Sequence, residues 1–334
     1  MFVGFPRFSR HLLFIGTAMA VVSFSGTGFS AEPSGRVVLY NPGGVKLGQA
    51  LASAFTKDYP AVTVDLINAG VGELFTRIKA ERNRPQGDVL IGASTEAYQS
   101  DPTLFEPYKT RDDAHYSRSV VGPNNLFYGF NLLMQTFMVN TKVMPVDQAP
   151  KSWRDLGAAR FKGKYIFANP SLSGSAYGQF AQILQLHGWD VGSRLIRNAV
   201  VTTSSKLVWQ NVSKGEIGAG VTGDNNVVKR AKQGFPVVAV YPSEGTALRF
   251  SANALIKGAP NMANAKVLLD FINSREAHSL SVKVTSRRSV RSDVNPPAGQ
   301  IPTDKVKTFD YDNAAAAKNR AATLKRFDEE LSRK

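Results

Sequence analysis

A turn rich in serine and glycine lies between an apolar segment and a helical pattern in the middle of the chain. Residues 165–168 are apolar and predict a buried strand, while apolar residues from Phe180 onward recur at helical spacing. The turn contains Ser173, Gly174 and Ser175. Backbone N–H groups at a helix start are unpaired and lie at the positive end of the helix dipole, so they suit an anion. We therefore expect these three residues to bind an anionic group, the alternative being that a serine only caps the helix.

Apolar segments near the start of the chain end in similar small, polar turns. They lie at 36–40, 62–67 and 88–92 and predict strands of an open sheet. In such sheets ligands bind beyond the carboxyl ends of the strands. The candidate ligand-binding residues at those ends are Asn41, Gly72, Ser94 and Thr95. For each of them, formation of the turn alone is the alternative role.

Length and composition indicate a globular α/β protein with more than one lobe. The 334 residues exceed what a single hydrophobic core usually holds, and the alternation of strands and helices predicts open α/β sheets. A net charge of +15 favours anionic ligands. Because the basic residues are dispersed along the chain, nucleic acid is not an expected partner. The lack of cysteine excludes disulfides, thiolate metal sites and a lipid-bearing cysteine.

The first 30 residues have the pattern of a secretory signal peptide. Arg7 and Arg10 precede an apolar run at 12–24, and small residues suit cleavage before Ala31. The apolar run is short for a stable membrane span, although a retained membrane anchor is the alternative. The sequence therefore predicts export, and we expect the mature protein to be free in a bacterial periplasm.

Short motifs in a particular order cover essentially the whole mature chain. They lie at 70–74, 87–90, 138–142, 150–156, 161–164, 169–175, 214–216, 241–245 and 286–291. In this order the chain resembles the periplasmic solute-binding proteins of bacterial ABC importers, of the two-lobed type II. More narrowly, it is similar to the group that binds ferric iron or small organophosphates such as 2-aminoethylphosphonate and hexose phosphates.

This resemblance implies a fold with two lobes, each an open α/β sheet, and a ligand cleft between them. The first lobe would comprise 35–136 and 248–334, and the second lobe 140–243. The chain would cross between the lobes near 136–140 and 241–250. The protein would be a monomer that binds one small anionic solute, with no cofactor, and passes it to the importer's permease in the inner membrane.

The resemblance also allows ferric iron to be compared with organic anions as the solute. Iron-binding members of the group present an adjacent pair of tyrosines after the strand that corresponds to 217–222. This chain has Asp224, Asn225 and Asn226 there. One acid and two amides are poor ligands for a hard ferric ion, so we expect no metal site.

Two acids, Asp224 and Glu244, fall near the implied cleft, and we therefore expect a ligand with two different ends. Its phosphate or phosphonate would lie on the residues around Gly174, while turns of the first lobe share that task or hold the rest of the ligand. Asp224 and Glu244 would accept charge-assisted hydrogen bonds from an amine or from sugar hydroxyls. The alternatives are that Asp224 caps the helix that follows it and that Glu244 is a solvated loop acid.

An exported hydrolase is the competing class of protein, and few residues in the sequence have the spacing that a hydrolase site requires. The glycines around Ser175 are one position away from the spacing of a nucleophile elbow. Of the mature chain's histidines, His187 precedes Gly188 and is expected to cap a helix end. The sequence thus predicts a transport protein for an organophosphate or phosphonate rather than an enzyme. A ferric-ion binder is the first alternative.

Overall fold

The computed structural model describes residues 1–4, 6 and 32–334. The chain divides into a unit of Met1–Glu32 and a unit of Pro33–Lys334, and the helices and strands given below lie in the second unit. The signal peptide predicted for residues 1–30 lies, apart from residues 1–4 and 6, outside the described residues. In the described part of the chain, no helix is long and apolar enough to cross a membrane.

Strands and helices alternate along most of the chain, as the apolar periodicity predicts. The strands are β1 (Gly35–Asn41), β2 (Val62–Asn68), β3 (Val89–Ser94), β4 (Phe105–Glu106), β5 (Tyr128–Leu132), β6 (Gln135–Asn140), β7 (Tyr165–Ala168), β8 (Val200–Thr202), β9 (Ala219–Gly223), β10 (Val237–Val240), β11 (Thr246–Ala247), β12 (Phe250–Ile256) and β13 (Thr308–Phe309). The helices are α1 (Val45–Asp58), α2 (Val71–Ala80), α3 (Thr95–Ser100), α4 (Gly174–Asn198), α5 (Ser205–Lys214), α6 (Asp224–Lys232), α7 (Met262–Ile272), α8 (Arg275–Thr285) and α9 (Asn313–Ser332).

The first sheet has the strand order β2-β1-β3-β12-β4, with β5 paired to β12. Its strands β2, β1 and β3 are parallel, while β12 runs antiparallel to β3, β4 and β5. Val37 and Leu39 pack in one hydrophobic core, and Val38 and Tyr40 pack in another. Because successive side chains of a strand point to opposite faces, both faces of β1 are covered, which explains its continuous apolar run.

The second sheet has the strand order β10-β6-β9-β7-β8. In it, β7 is parallel to β8 and β9, while β6 is antiparallel to β9 and β10. In its core the ring centroids of Phe137 and Trp153 lie 5.0 Å apart. The chain passes from the first sheet to the second between β5, which ends at Leu132, and β6, which begins at Gln135.

The chain returns from the second sheet to the first between β10 and β12. The short strand β11 in this connection pairs in parallel with β13, near the C-terminal end of the chain. Of the predicted crossing segments, 136–140 lies within β6, and 241–250 contains β11 and the first residue of β12. The lobe boundaries stay a prediction.

The C-terminal helix α9 lies against α4 and the core of the second sheet. Phe327 is fully buried there, and its ring centroid is 5.0 Å from that of Phe180. Asp328 accepts a hydrogen bond from Ser171, in the turn after β7. The predicted first lobe includes 248–334, whereas this helix makes these contacts with the second sheet. An amphipathic face predicts that a helix is packed, but it does not identify the partner.

Candidate functional site

The amino ends of several helices lie at the carboxyl edges of the two sheets. In the first sheet, α1, α2 and α3 follow the parallel strands β1, β2 and β3. In the second sheet, α4, α5 and α6 follow the parallel strands β7, β8 and β9. Each helix start carries unpaired N–H groups and the positive end of the helix dipole. Each sheet therefore presents a row of anion-attracting helix starts along one edge.

The starts of α4 and α5 are adjacent. Ser173 Oγ accepts a hydrogen bond from the backbone N–H of Ala176, and Ser204 Oγ accepts one from the N–H of Lys206. The hydroxyl oxygens of Ser173 and Ser205 lie 2.5 Å apart, which links the two helix starts directly. Ser173 thus caps α4, as the alternative interpretation of the sequence holds, and the positive ends of two helix dipoles converge beside it.

Gly174 and Ser175 form the exposed first turn of α4. A Cβ atom at Gly174 would have no neighbour within 4 Å, so the backbone is open to a ligand from that side. With the N–H groups of the first turn unpaired inside the helix, this turn is the part of the second sheet's edge best suited to an anionic group.

The predicted ligand residues of the first sheet lie in different environments. Asn41 is fully buried, and its side-chain amide donates to Asn68 Oδ1 at 2.7 Å, so it joins the turns after β1 and β2. Gly72 is exposed in the first turn of α2, and a Cβ atom there would have no neighbour within 4 Å. Ser94 is partly exposed at the end of β3, while Thr95 is buried. The surface open to a ligand is therefore at Gly72 and Ser94.

Asp224, the first residue of α6, forms a buried ion pair with Arg288. Its Oδ2 accepts hydrogen bonds from Arg288 Nε and from the Tyr241 hydroxyl, both at 2.9 Å. The Arg288 guanidinium also donates to the carbonyl of Ile301 and to Thr303 Oγ1. Burial raises the pKa of Asp224, and the positive charge of Arg288 opposes that rise. The carboxylate is thus already matched by a cation of the protein.

Glu244 also binds protein groups. Its Oε1 accepts a hydrogen bond from the N–H of Arg154 at 3.2 Å and lies 3.0 Å from His187 Nε2, while its Oε2 accepts from the N–H of Trp153 at 3.1 Å. Burial by itself would raise the pKa of Glu244, but these hydrogen bonds outweigh burial and lower it. Both acids expected to contact an amine or hydroxyls are therefore engaged within the protein, and their role toward a ligand stays a prediction.

Two histidines that a hydrolase could use, His187 and His278, lie in structural positions. α4 breaks at Gly188, whose φ of 64° falls in the left-handed region, and His187 stands at this break. His278 is buried between the hydroxyl oxygens of Tyr116 and Ser289, at 2.9 and 2.6 Å, and burial lowers its pKa to about 3. It is therefore neutral at physiological pH. Among the described residues, no group of three or more His, Cys, Asp or Glu side chains is placed to hold a metal ion.

Lys46, Lys229 and Arg287 are basic residues that the sequence analysis did not select. Lys46 is exposed in the first turn of α1, Lys229 is exposed on α6, and Arg287 is partly exposed after α8. Desolvation, and then the positive charges of Arg287 and Lys46, lower the pKa of Lys229, so both charges lie near its ammonium group. In the described part of the chain none of the three forms an ion pair with an acid.

One motif in the sequence points in part to the cluster of Lys46, Lys229 and Arg287. Arg287 belongs to the motif at 286–291, which has three arginines. Arg288 pairs with Asp224, and Arg291 pairs with two acids of its own surroundings. The motif alone does not show which arginine lacks an acid, because every partner except one is distant in the sequence.

Known proteins are similar to this chain over most of its length. A sequence model of the family described as bacterial extracellular solute-binding protein matches residues 50–308. A protein of Haemophilus influenzae without an assigned function is 30% identical over 97% of this chain and 99% of its own. A protein of Salmonella typhimurium, provisionally named a 2-aminoethylphosphonate-binding periplasmic protein, is 26% identical over 74% of this chain and 75% of its own.

Solved structures share the architecture. The periplasmic binding protein AfuA from Actinobacillus pleuropneumoniae, with exogenous fructose-6-phosphate bound, is 26% identical and has a TM-score of 0.77 over 90% of this chain and 99% of its own. Iron-bound HitA from Pseudomonas aeruginosa is 20% identical and has a TM-score of 0.79 over 88% of this chain and 99% of its own, a likeness that concerns the fold alone. These likenesses confirm the predicted α/β fold class with two lobes.

Proposed function

Because the chain belongs to the bacterial extracellular solute-binding proteins, the periplasmic solute-binding components of ABC importers, we propose that its solute is a small organophosphate or phosphonate. The solute would bind between the carboxyl edges of the two sheets and be delivered to the membrane permease of the importer. In this proposal residues 1–30 are a signal peptide that is removed on export.

The observation that carries this proposal is the junction of α4 and α5. Ser173 caps one helix and its hydroxyl oxygen lies 2.5 Å from that of Ser205 in the first turn of the other, so two positive helix ends meet at one partly exposed point. A phosphate or phosphonate group has several acceptor oxygens, which can bind the N–H groups at Gly174 and Ser175 together with serine hydroxyls. Gly72 and Ser94 would contact the solute from the first sheet.

The relatives support the same class of solute. The Salmonella typhimurium relative carries a name that refers to 2-aminoethylphosphonate, and the AfuA structure contains fructose-6-phosphate. These two solutes share an anionic phosphorus group and differ in the rest of the molecule. A binding site with a shared position for the phosphorus group, and with different surroundings for the rest of the molecule, would fit both solutes.

The surroundings of Asp224 argue against a ferric ion as the solute. Ferric iron prefers phenolate and carboxylate oxygens, but the Asp224 carboxylate is bound to Arg288. The nearby phenol of Tyr241 donates to Asp224, and burial followed by the charge of Asp224 raises the pKa of Tyr241. A phenol that holds its proton this firmly is a weak metal ligand. We assign Asp224 and Glu244 the role of positioning the elements around the solute.

Binding would close the two lobes. A ligand that contacts helix starts of both sheets makes all its contacts only when the sheets approach, so it favours the closed state. The connections between β5 and β6 and between β10 and β12, where the chain passes between the sheets, would absorb the change in backbone angles. The closed form would be the one that the permease recognises.

A thermal-shift screen tests the proposal, because a solute that binds only the folded protein raises its melting temperature. The probes are 2-aminoethylphosphonate, fructose 6-phosphate, citrate and ferric citrate. We expect a rise with a phosphonate or a sugar phosphate and none with citrate. A rise with ferric citrate alone, with a tyrosinate-to-iron absorption band, would replace this proposal with iron transport.

A further inference from the structure

Lys46, Lys229 and Arg287 come from elements of both sheets and lie near one another. Lys46 follows the carboxyl end of β1 in the first turn of α1. Lys229 lies on α6, which begins directly after β9 of the second sheet. The positive charge of Lys46 acts on the ammonium group of Lys229, so the two lysines, which belong to helices of different sheets, lie near each other.

Arg287 is brought to this place by its neighbours in the chain. The carbonyl of Arg288 accepts a hydrogen bond from the N–H of Leu132 at the end of β5, which fixes the segment to the first sheet. The side chain of Arg288 binds Asp224 at 2.9 Å, which draws the same segment against the first turn of α6. Lys229 is on that helix, and the positive charge of Arg287 acts on its ammonium group, in agreement with a segment that is held close to α6.

Among the side chains described in residues 32–334, no acid forms an ion pair with Lys46, Lys229 or Arg287. The other arginines of the same motif each have a partner: Arg288 binds Asp224, and Arg291 binds Asp112 and Asp293 at 2.7 Å. Like charges held close together repel, and an anion placed among them would relieve that repulsion.

We propose that Lys46, Lys229 and Arg287 form a second anion-binding subsite for the solute. The negatively charged group that binds there would lie at the opposite end of the solute from the phosphate or phosphonate bound at Gly174 and Ser175. This inference rests on the proposed function and narrows it. The solute would carry an anionic group at both ends, such as a phosphonate and a carboxylate or two phosphates. An ammonium group at the second end would meet three cations and would be disfavoured.

Two probes of matched length test the inference. 2-Aminoethylphosphonate and 3-phosphonopropionate both have two methylene groups between the phosphorus and the second charged group, which is an ammonium in the first and a carboxylate in the second. By isothermal titration calorimetry we expect 3-phosphonopropionate to bind at least tenfold more tightly. Lys229→Gln and Arg287→Gln should each reduce that preference several-fold, whereas Lys232→Gln on the same helix should leave it unchanged.

The outcomes separate this inference from the function on which it rests. Equal or tighter binding of 2-aminoethylphosphonate, with the variants unchanged, overturns the second subsite and leaves the organophosphate function standing. If 3-phosphonopropionate, 2-aminoethylphosphonate and fructose 6-phosphate all fail to bind, both proposals are overturned. A measurement without solute adds an independent test: at low salt, Lys229→Gln should raise the melting temperature of the protein relative to Lys232→Gln, because it removes the repulsion.

Discussion

The carboxylate Oδ2 of Asp224 lies 2.9 Å from Nε of Arg288, and the two side chains are 3% and 0% exposed. This pair joins the start of α6, at the edge of the second sheet, to the segment after α8, which is bound to β5 of the first. A buried ion pair adds little net stability compared with apolar residues, but the loss of one partner leaves an uncompensated buried charge. The pair is therefore best understood as a constraint on how these two elements meet.

We predict that Asp224→Ala destabilises the protein strongly. Removal of the carboxylate leaves the Arg288 guanidinium buried without its acid, which typically costs about 3–5 kcal/mol. The control is Asp190→Ala, which breaks the exposed Asp190–Arg194 pair and should cost at most about 1 kcal/mol. Urea unfolding followed by circular dichroism measures both. Equal losses in the two variants would show that the Asp224 pair is not what holds these elements.

A second prediction concerns Ser175 at the start of α4. Ser175→Asp places a negative charge where the anionic group of the solute is proposed to bind, so affinity for whichever probe binds the wild type should fall at least tenfold. Folding should not suffer, since an acid in the first turn of a helix stabilises it by about 0.3–1 kcal/mol. Ser53→Asp, exposed in the middle of α1, adds the same charge elsewhere and serves as the control. Unchanged affinity in Ser175→Asp would remove this turn from the site.

The lowered pKa of Glu244 predicts a pH dependence of stability. The carboxylate is stabilised in the folded state by N–H groups of Trp153 and Arg154 and by His187, so its contribution is complete above the unfolded-state pKa of about 4.3. It is lost as the pH falls through the lower folded-state pKa. We expect Glu244→Gln to be less stable than the wild type at pH 7, with a difference that shrinks as the pH falls below about 4.3.

Thermal unfolding of the wild type and Glu244→Gln from pH 7 to pH 3 measures this difference. Glu216→Gln is the control, because Glu216 is half exposed and its pair with Lys214 is 3.7 Å long. A difference for Glu244→Gln that stays constant over this range would mean that ionised Glu244 does not stabilise the fold.

The position of α9 gives a fourth prediction. Phe327 is fully buried in the core of the second sheet, and its truncation to alanine should cost about 3–5 kcal/mol. Hydrogen exchange in Phe327→Ala should increase in α4, against which this side chain packs, more than in α1 and α7 of the first sheet. The reverse pattern would assign the helix to the first lobe, as the sequence analysis did.

The sequence by itself determined the local elements and the class of protein. Strands, turns and helix starts depend on residues close together in the chain, and so the strands at 36–40, 62–67 and 88–92 and the cap at Ser173 were predictable. The order of motifs identified the family, because that order reflects the whole arrangement of elements.

Only the tertiary structure decided which charges are matched. Asp224 and Glu244 were predicted to contact the ligand, but their partners Arg288 and His187 lie 64 and 57 positions away in the chain. The same long-range folding left Arg287 outside ion-pair distance of any acid in the described part of the chain, and it packed Phe327 of α9 in the core of the second sheet. Ion pairing and packing depend on distances in space, which local sequence patterns do not contain. The sequence therefore predicted where an anionic group of the solute could bind, but not which cations would be available to bind the other end of the solute.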